Sequence, residues 1–182
     1  MNNLRNLPDV RALFVLIYIS MVGLPLTAHA AYSQPLDQAP PEIQQAYLHV
    51  SADFELYLRF LDVNETGGEP VLENAHNPRE ARVFLNRGFS DYLADAIYSN
   101  FTRYDKEREL LILIPCDGLP MLGLEERDGI QYNLHGQEAV LFQYMFKNCY
   151  RPGDAYLYSV TARLNDGWWK IEDLDLREVP DK

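Results

Sequence analysis

Acid–base chemistry in this chain would depend on one histidine and two aspartates in its predicted strands. Such catalysis needs a carboxylate or imidazole held in an apolar cavity, with a donor for the developing oxyanion. His135 has the opposite parity to Tyr132 and Leu134, so we expect it to face solvent or a loop end. Asp173 and Asp175 lie at or beyond a predicted β-bulge, where polar side chains turn outward. We therefore assign no catalytic residue from the sequence.

Metal ligation has one candidate pair. His49 and Asp53 are four residues apart and share one face of a predicted helix, but that face is largely polar. An ordinary surface pair explains them more simply. The sequence contains no CxxC motif, no HExxH motif and no glycine-rich phosphate loop. We predict neither a metal nor a cofactor.

The first thirty residues have the pattern of a secretory signal peptide. Arg5 and Arg11 precede an apolar run over residues 12–22, and Ala28-His29-Ala30 provides a small-x-small cleavage site. The run is shorter than the ~20 residues that a bilayer span requires, which disfavours an uncleaved membrane anchor. We predict export to the periplasm and cleavage after Ala30. Residues 31–182 would then form a single domain without a membrane segment.

The net charge restricts the classes of partner. The chain carries a formal charge of −11, and removal of the predicted signal peptide would make it −12. A charge of this sign disfavours nucleic acid and anionic membrane surfaces. It is compatible with a basic protein partner or a cationic ligand. The alternative is that acidity only keeps an exported protein soluble.

Cys116 and Cys149 are the only cysteines. An even count in an oxidising compartment predicts a disulfide bond, which would stabilise the fold by about 3–4 kcal/mol in the chain-entropy model. The alternative is a reactive cysteine paired with a histidine. That reading needs a thiol kept reduced after export.

Helices are predicted in the first half of the domain. Pro40-Pro41 begins a long amphipathic helix, with apolar residues at steps of three and four, that ends near Val63. We predict a loop over residues 64–78 and a short helix over 79–87. Ser90 is the predicted N-cap of a third helix, which ends near residue 105.

Strands are predicted in the second half. Residues 110–114 and 139–146 form apolar runs, although a helix is the alternative for the second, and residues 130–135 alternate. Helices followed by strands indicate an α+β fold with an antiparallel sheet.

The C-terminal segment predicts a β-hairpin. Asp166-Gly167 is a strong two-residue turn signal between alternating strands. The apolar residues of the return strand change parity along it: Trp169, Ile171, Leu174 and Leu176. One buried face therefore requires an extra residue, a β-bulge, near Glu172-Asp173.

The chain resembles the nuclear transport factor 2-like (cystatin-like) superfamily. Residues 166–173 read Asp-Gly-Trp-Trp-Lys-Ile-Glu-Asp, similar to the acidic-Gly-Trp-Lys-Ile-acidic ending of many members but with a doubled tryptophan. The element order matches over residues 40–176. The resemblance implies a long N-terminal helix and two shorter helices packed on a curved antiparallel sheet, which together form a cone-shaped roll. Members include isomerases, dehydratases, hydrolases, protein-binding subunits and immunity proteins, so the fold alone assigns no activity.

The resemblance also implies a conical pocket between the helices and the sheet. We expect aromatic residues with polar tips to line it, because such side chains suit ligand pockets and interfaces. The predicted lining residues are Tyr92, Tyr132, Tyr158, Trp168 and Trp169. The alternative is aromatic packing in a filled core.

These observations favour an exported, non-catalytic binding protein, with an immunity or inhibitor protein as the sharper version. Its partner would be a protein or a small apolar ligand. The alternative function is a small-molecule isomerase, dehydratase or hydrolase that uses the cone. A homodimer through the outer sheet face is a third hypothesis.

Overall fold

A computed structural model describes residues 34–115, 118–136, 138–148 and 152–180 of the chain. The predicted signal peptide and both cysteines lie outside these residues. The structure is α+β, with three α-helices and two antiparallel sheets. Two 3-10 turns, Leu36–Gln38 and Leu124–Gly129, connect the other elements. In chain order the α-helices and β-strands are β1 (Gln34–Pro35), α1 (Pro41–Phe60), β2 (Val63–Thr66), β3 (Glu69–Leu72), α2 (Pro78–Leu85), α3 (Asp91–Phe101), β4 (Thr102–Asp105), β5 (Leu110–Leu113), β6 (Gln131–Leu134), β7 (Ala139–Lys147), β8 (Ala155–Asn165) and β9 (Trp168–Glu178).

The helices begin where local capping groups favour them. Proline occupies the first position of α1 and of α2, where its missing N–H costs nothing. Asn77 Oδ1 accepts hydrogen bonds from two backbone N–H groups at the start of α2, and Ser90 Oγ accepts one from Leu93 N–H (3.3 Å) at the start of α3. The helix α3 ends earlier than the sequence predicts because Thr102 begins a strand that pairs with β5.

The strands form two sheets, whereas the sequence analysis expects one. The five-stranded sheet has the order β1-β6-β7-β8-β9, and the four-stranded sheet has the order β2-β3-β5-β4. The strand β5 pairs with β3 and β4. The apolar run at 110–113 therefore belongs to the smaller sheet.

The predicted loop over residues 64–78 is wrong in its first part, because it contains the hairpin β2–β3. Gly67 and Gly68 both have positive φ (64° and 81°), the conformation that a tight two-residue hairpin turn requires. All four residues of β2 are exposed. This strand therefore has no alternating apolar pattern by which the sequence could reveal it.

The predicted terminal hairpin and its bulge are both confirmed. Asp166 and Gly167 have positive φ (51° and 83°) and connect β8 to β9. Thr161 pairs with Asp173 but Ala162 pairs with Ile171, so Glu172 is the extra residue. The bulge returns Leu174 and Leu176, which pair with Val160 and Tyr158, to the face that carries Ile171.

The core lies between α1 and one face of the five-stranded sheet. The rings of Tyr47 on α1 and Phe142 on β7 are 5.3 Å apart and edge to face. Leu72 and Leu111 of the smaller sheet belong to the same buried apolar cluster. The two sheets and the helices thus share one hydrophobic core.

Candidate functional site

A half-buried acid–base cluster brings together three elements that are distant in sequence. Asp53 lies on α1, Asn86 and Gly88 lie in the turn after α2, and Lys170 lies on β9. Ile171 N–H donates a hydrogen bond to Gly88 O (2.8 Å), which holds β9 against this turn. Backbone pairing therefore fixes the positions of the side chains.

The Asp53 carboxyl group packs against the backbone of Gly88. A Cβ atom on Gly88 would lie 2.4 Å from Asp53 Oδ1, so a larger residue must displace the carboxyl group. Asp53 Oδ2 is shielded from solvent and has no hydrogen-bond partner among the described residues. Loss of hydration raises the pKa of Asp53 from 3.8 to about 8, against the opposing effect of the Lys170 cation. At pH 7 most Asp53 carboxyl groups are therefore protonated and able to donate a hydrogen bond.

Lys170 also closes the C-terminal end of α2. Its Nζ donates a hydrogen bond to the backbone oxygen of Asn86 (2.6 Å), the residue that follows the helix. A cation at this position is stabilised by the helix dipole and satisfies a terminal carbonyl. Lys170 thus has a structural role that is independent of any chemistry at Asp53.

His49 lies one turn before Asp53 on α1 but has different neighbours. Its ring is 5.9 Å from the ring of Trp168, in an edge-on arrangement at the tip of the terminal hairpin. The two residues of the candidate ligand pair are therefore divided between the hairpin tip and the Gly88 turn. Within the described ranges, no group of three or more His, Cys, Asp or Glu side chains is placed to hold a metal ion.

The acid–base candidates of the sequence lie elsewhere. His135 is exposed beyond β6, and the Asp175 carboxylate pairs with the Arg177 guanidinium (2.5 Å). Partial loss of hydration raises the pKa of Asp173, helped by the charges of Asp175 and Glu172 and opposed by a backbone hydrogen bond. Its side chain is nevertheless exposed beside the bulge. The geometry thus gives these three residues no shared site.

Two of the predicted pocket-lining tyrosines are buried in the core. Tyr158 Oη donates a hydrogen bond to Pro120 O (2.6 Å), and burial raises the pKa of this phenol well above its ordinary value. Tyr132 Oη donates to Gln34 Oε1 (2.7 Å). Both polar tips are thus satisfied by neighbouring segments of the chain, as buried tyrosines require.

The other three predicted lining residues have different environments. Tyr92 is 58% exposed at the start of α3, and Trp168 is 65% exposed at the hairpin tip. Trp169 is half-buried against the core. The doubled tryptophan is therefore resolved: Trp169 packs inward and Trp168 contacts His49.

Aromatic side chains occupy the space beneath the helices. Their rings meet at centroid separations of 5.3 to 6.0 Å, typical of edge-to-face and tilted packing. The pairs are Tyr47 with Phe142, Tyr57 with Phe101, and Phe146 with Tyr158. This interior is a packed core in the residues that the structure describes.

An open groove of about 400 Å³ lies beside α2. Its apolar part consists of Val83, which is 58% exposed, and the half-buried Phe84. The Arg87 guanidinium lies 5.2 Å from the centre of the Phe84 ring. The residues that line the groove are Asn74, Asn77, Arg79, Glu80, Val83, Phe84 and Arg87.

The groove carries cationic groups that have no acidic partner among the described residues. Glu80, its one carboxylate, accepts hydrogen bonds from His76 N–H (2.9 Å) and Asn77 Nδ2 (2.7 Å), and the first of these holds its pKa below the ordinary value. Arg79 and Arg87 form no ion pair with a carboxylate in the described part of the chain. Other arginines do form such pairs: Arg82, Arg103, Arg108, Arg163 and Arg177.

This groove is not among the sites that the sequence predicts. Arg79, Val83 and Arg87 recur at steps of four and so share one face of a helix, which is the signal that was available. Asp53 was considered only as a metal ligand. Its burial depends on Gly88, a contact that helical spacing cannot reveal.

Comparisons with known proteins add no identification. No protein-family model matches the chain, and neither does any curated protein. Across the described ranges, no helix is long and apolar enough to cross a membrane.

Proposed function

We propose that this protein is a non-catalytic binding protein that engages a protein partner through its outer surface. The observation that supports this is the interior of the described residues, a single buried apolar cluster in which aromatic rings pack against one another. Small-molecule sites are usually concave cavities that bury most of the ligand. A filled core leaves the surface as the place for recognition. The groove beside α2 is the described surface feature that best suits this role.

The proposal keeps the finer expectations from the sequence. The protein would be exported to the periplasm as residues 31–182, with helices and sheets arranged as a cone-shaped roll of the nuclear transport factor 2-like type. Within this class we propose an immunity or inhibitor protein, because export, a packed interior and an external contact surface all suit that function. The homodimer stays a prediction, which light scattering of the purified protein would test.

Site-specific photocrosslinking tests the proposed function. A photoreactive amino acid is placed at Val83 in the groove or, as the control, at the equally exposed Tyr92 on α3. The full chain is produced in its native host and irradiated in the cell. We expect a discrete protein adduct from position 83 and a weaker one or none from position 92. Absence of an adduct at both positions would count against a binding protein that works through this surface.

A catalytic alternative is supported by Asp53. Its raised pKa and the nearby Lys170 are features that acid–base catalysts share. An isomerase, dehydratase or hydrolase would use Asp53 to move a proton at the substrate. The groove residues do not include Asp53, however, and the packed interior disfavours a substrate inside the cone.

Deuterium exchange tests this alternative without knowledge of the natural substrate. Model carbon acids, such as a β,γ-unsaturated ketone, are incubated with the protein in D₂O. Catalysed exchange that disappears in Asp53→Asn would favour an enzyme. Equal exchange rates for the two proteins would remove Asp53 from consideration as a base.

A further inference from the structure

We propose that the groove beside α2 binds an acidic segment of a partner protein in which two carboxylates flank one apolar side chain. This inference rests on the proposed binding function and specifies the chemistry of the partner. It is carried by Arg79 and Arg87, whose guanidinium groups have no carboxylate partner in the described part of the chain and lie on either side of the exposed Val83.

The spacing of these three residues sets the spacing in the partner. Arg79 and Val83 lie on α2, and Arg87 lies in the turn that directly follows it. Residues four apart on a helix are separated by about 6 Å along its axis, which is the separation of Arg79 and Val83, and Arg87 extends the row from the turn two residues beyond the helix. In an extended peptide, residues i, i+2 and i+4 share one face and span roughly 13 Å. The matching segment therefore reads acidic-x-apolar-x-acidic.

Each part of the groove has a counterpart in such a segment. Guanidinium groups form paired hydrogen bonds with carboxylates, which gives both attraction and orientation. Val83 and the edge of Phe84 offer an apolar contact for the central side chain. Glu80 is the one carboxylate among the lining residues, so the two guanidinium groups give the groove a net positive charge.

The acidity of the whole chain opposes this contact only weakly. At physiological ionic strength, charges are screened over about 8 Å, so distant carboxylates contribute little inside the groove. The two guanidinium groups lie in the groove itself and dominate there. A nucleic acid would instead meet the full negative charge of the protein along its length, which favours a short peptide as the occupant.

Synthetic peptides test this inference. The peptide Glu-Ala-Leu-Ala-Glu, acetylated and amidated at its ends, is titrated into ¹⁵N-labelled protein that has been expressed as the full chain. Two control peptides carry Gln or Lys in place of both Glu residues. We expect the acidic peptide to shift amide resonances of residues 79–87, with affinity that falls as salt is added. The Gln peptide should bind at least about tenfold more weakly. Equal binding of the Lys peptide, or shifts confined to other elements, would overturn the inference.

Charge reversal supplies the second arm. Arg79→Glu combined with Arg87→Glu should abolish binding of the acidic peptide and create binding of the Lys peptide. Both side chains are exposed, so the fold should be retained. The control reverses two exposed lysines outside the groove, Lys106→Glu with Lys147→Glu, and should leave binding of the acidic peptide unchanged. Loss of binding in this control would show that total charge, not the groove, determines recognition.

The photocrosslinking experiment separates failure of this inference from failure of the proposed function. If position 83 captures a partner through a basic or uncharged segment, the acidic-segment inference is wrong and the binding function stands. If position 83 captures an acidic segment, both are supported. If neither position captures a partner, the binding function itself fails.

Discussion

Asp53→Asn should change how the stability of this protein depends on pH. The wild-type carboxyl group has a pKa of about 8 in the folded state and an ordinary value of 3.8. Between these values the folded protein holds a proton that the unfolded chain has released. The contribution of this proton to the free energy of unfolding is fully present below pH 3.8. It decreases as the pH rises above that value and is lost once the pH passes 8. Asparagine has nearly the same shape and does not titrate, so the variant lacks this loss.

The magnitude follows from the two pKa values. Each pH unit between them changes the free energy of unfolding by about 1.4 kcal/mol, so about 4 kcal/mol has been lost at pH 7 and about 6 kcal/mol above pH 8. A typical domain has a total stability of only about 5–15 kcal/mol. The effect should therefore dominate the pH profile in this range.

Urea denaturation of both proteins at half-unit steps from pH 4 to pH 8.5 measures the effect. Other carboxylates titrate identically in the two proteins, so the difference in unfolding free energy isolates Asp53. That difference should shift in favour of Asp53→Asn by about 1.4 kcal/mol per pH unit. In addition, Lys170→Gln should raise the carboxyl midpoint seen by ¹³C NMR, because the cation lowers this pKa. A difference that does not change with pH, or an Asp53 midpoint below 5, would refute the reasoning.

Three further changes probe the packing around this site and the sheet. Gly88→Ala should destabilise the fold by about 1–3 kcal/mol, because the added Cβ would overpack against the Asp53 carboxyl group. Gly118→Ala is the control: its added Cβ would have its nearest neighbour at 3.5 Å, so its stability should be unchanged. Tyr158→Phe should lower the free energy of unfolding by about 1–2 kcal/mol, because the Pro120 carbonyl loses its hydrogen-bond donor. Tyr92→Phe, at an exposed position, is the matched control. Equal urea midpoints for the two variants would contradict the expectation. Deletion of Glu172 should leave a regular ladder with the two following leucines still on the core face and retain cooperative unfolding, whereas deletion of Glu172 and Asp173 together should turn those leucines outward and abolish it. Loss of the sharp transition in the single deletion would contradict the assignment of Glu172 as the extra residue.

Sequence reasoning succeeded where a structure is determined by adjacent residues. The Asp166-Gly167 turn and the bulge at Glu172 follow from local turn chemistry and from a change in the parity of apolar residues. It failed for the hairpin β2–β3, because the exposed strand β2 has no buried face to produce a pattern. It also placed all strands in one sheet, since no local signal shows which distant strand the run at 110–113 will pair with.

The turn after α2 explains why the candidate sites were harder to predict than the fold. Its three successive residues have unrelated neighbours: Asn86 O accepts a hydrogen bond from Lys170, Arg87 lines the groove, and Gly88 makes room for Asp53. Gly88 does not have the positive φ of a glycine helix cap, and α2 already ends at Leu85. Its missing Cβ serves a close approach from α1, a segment more than thirty residues earlier. A property that depends on such a contact becomes readable only once the fold is known.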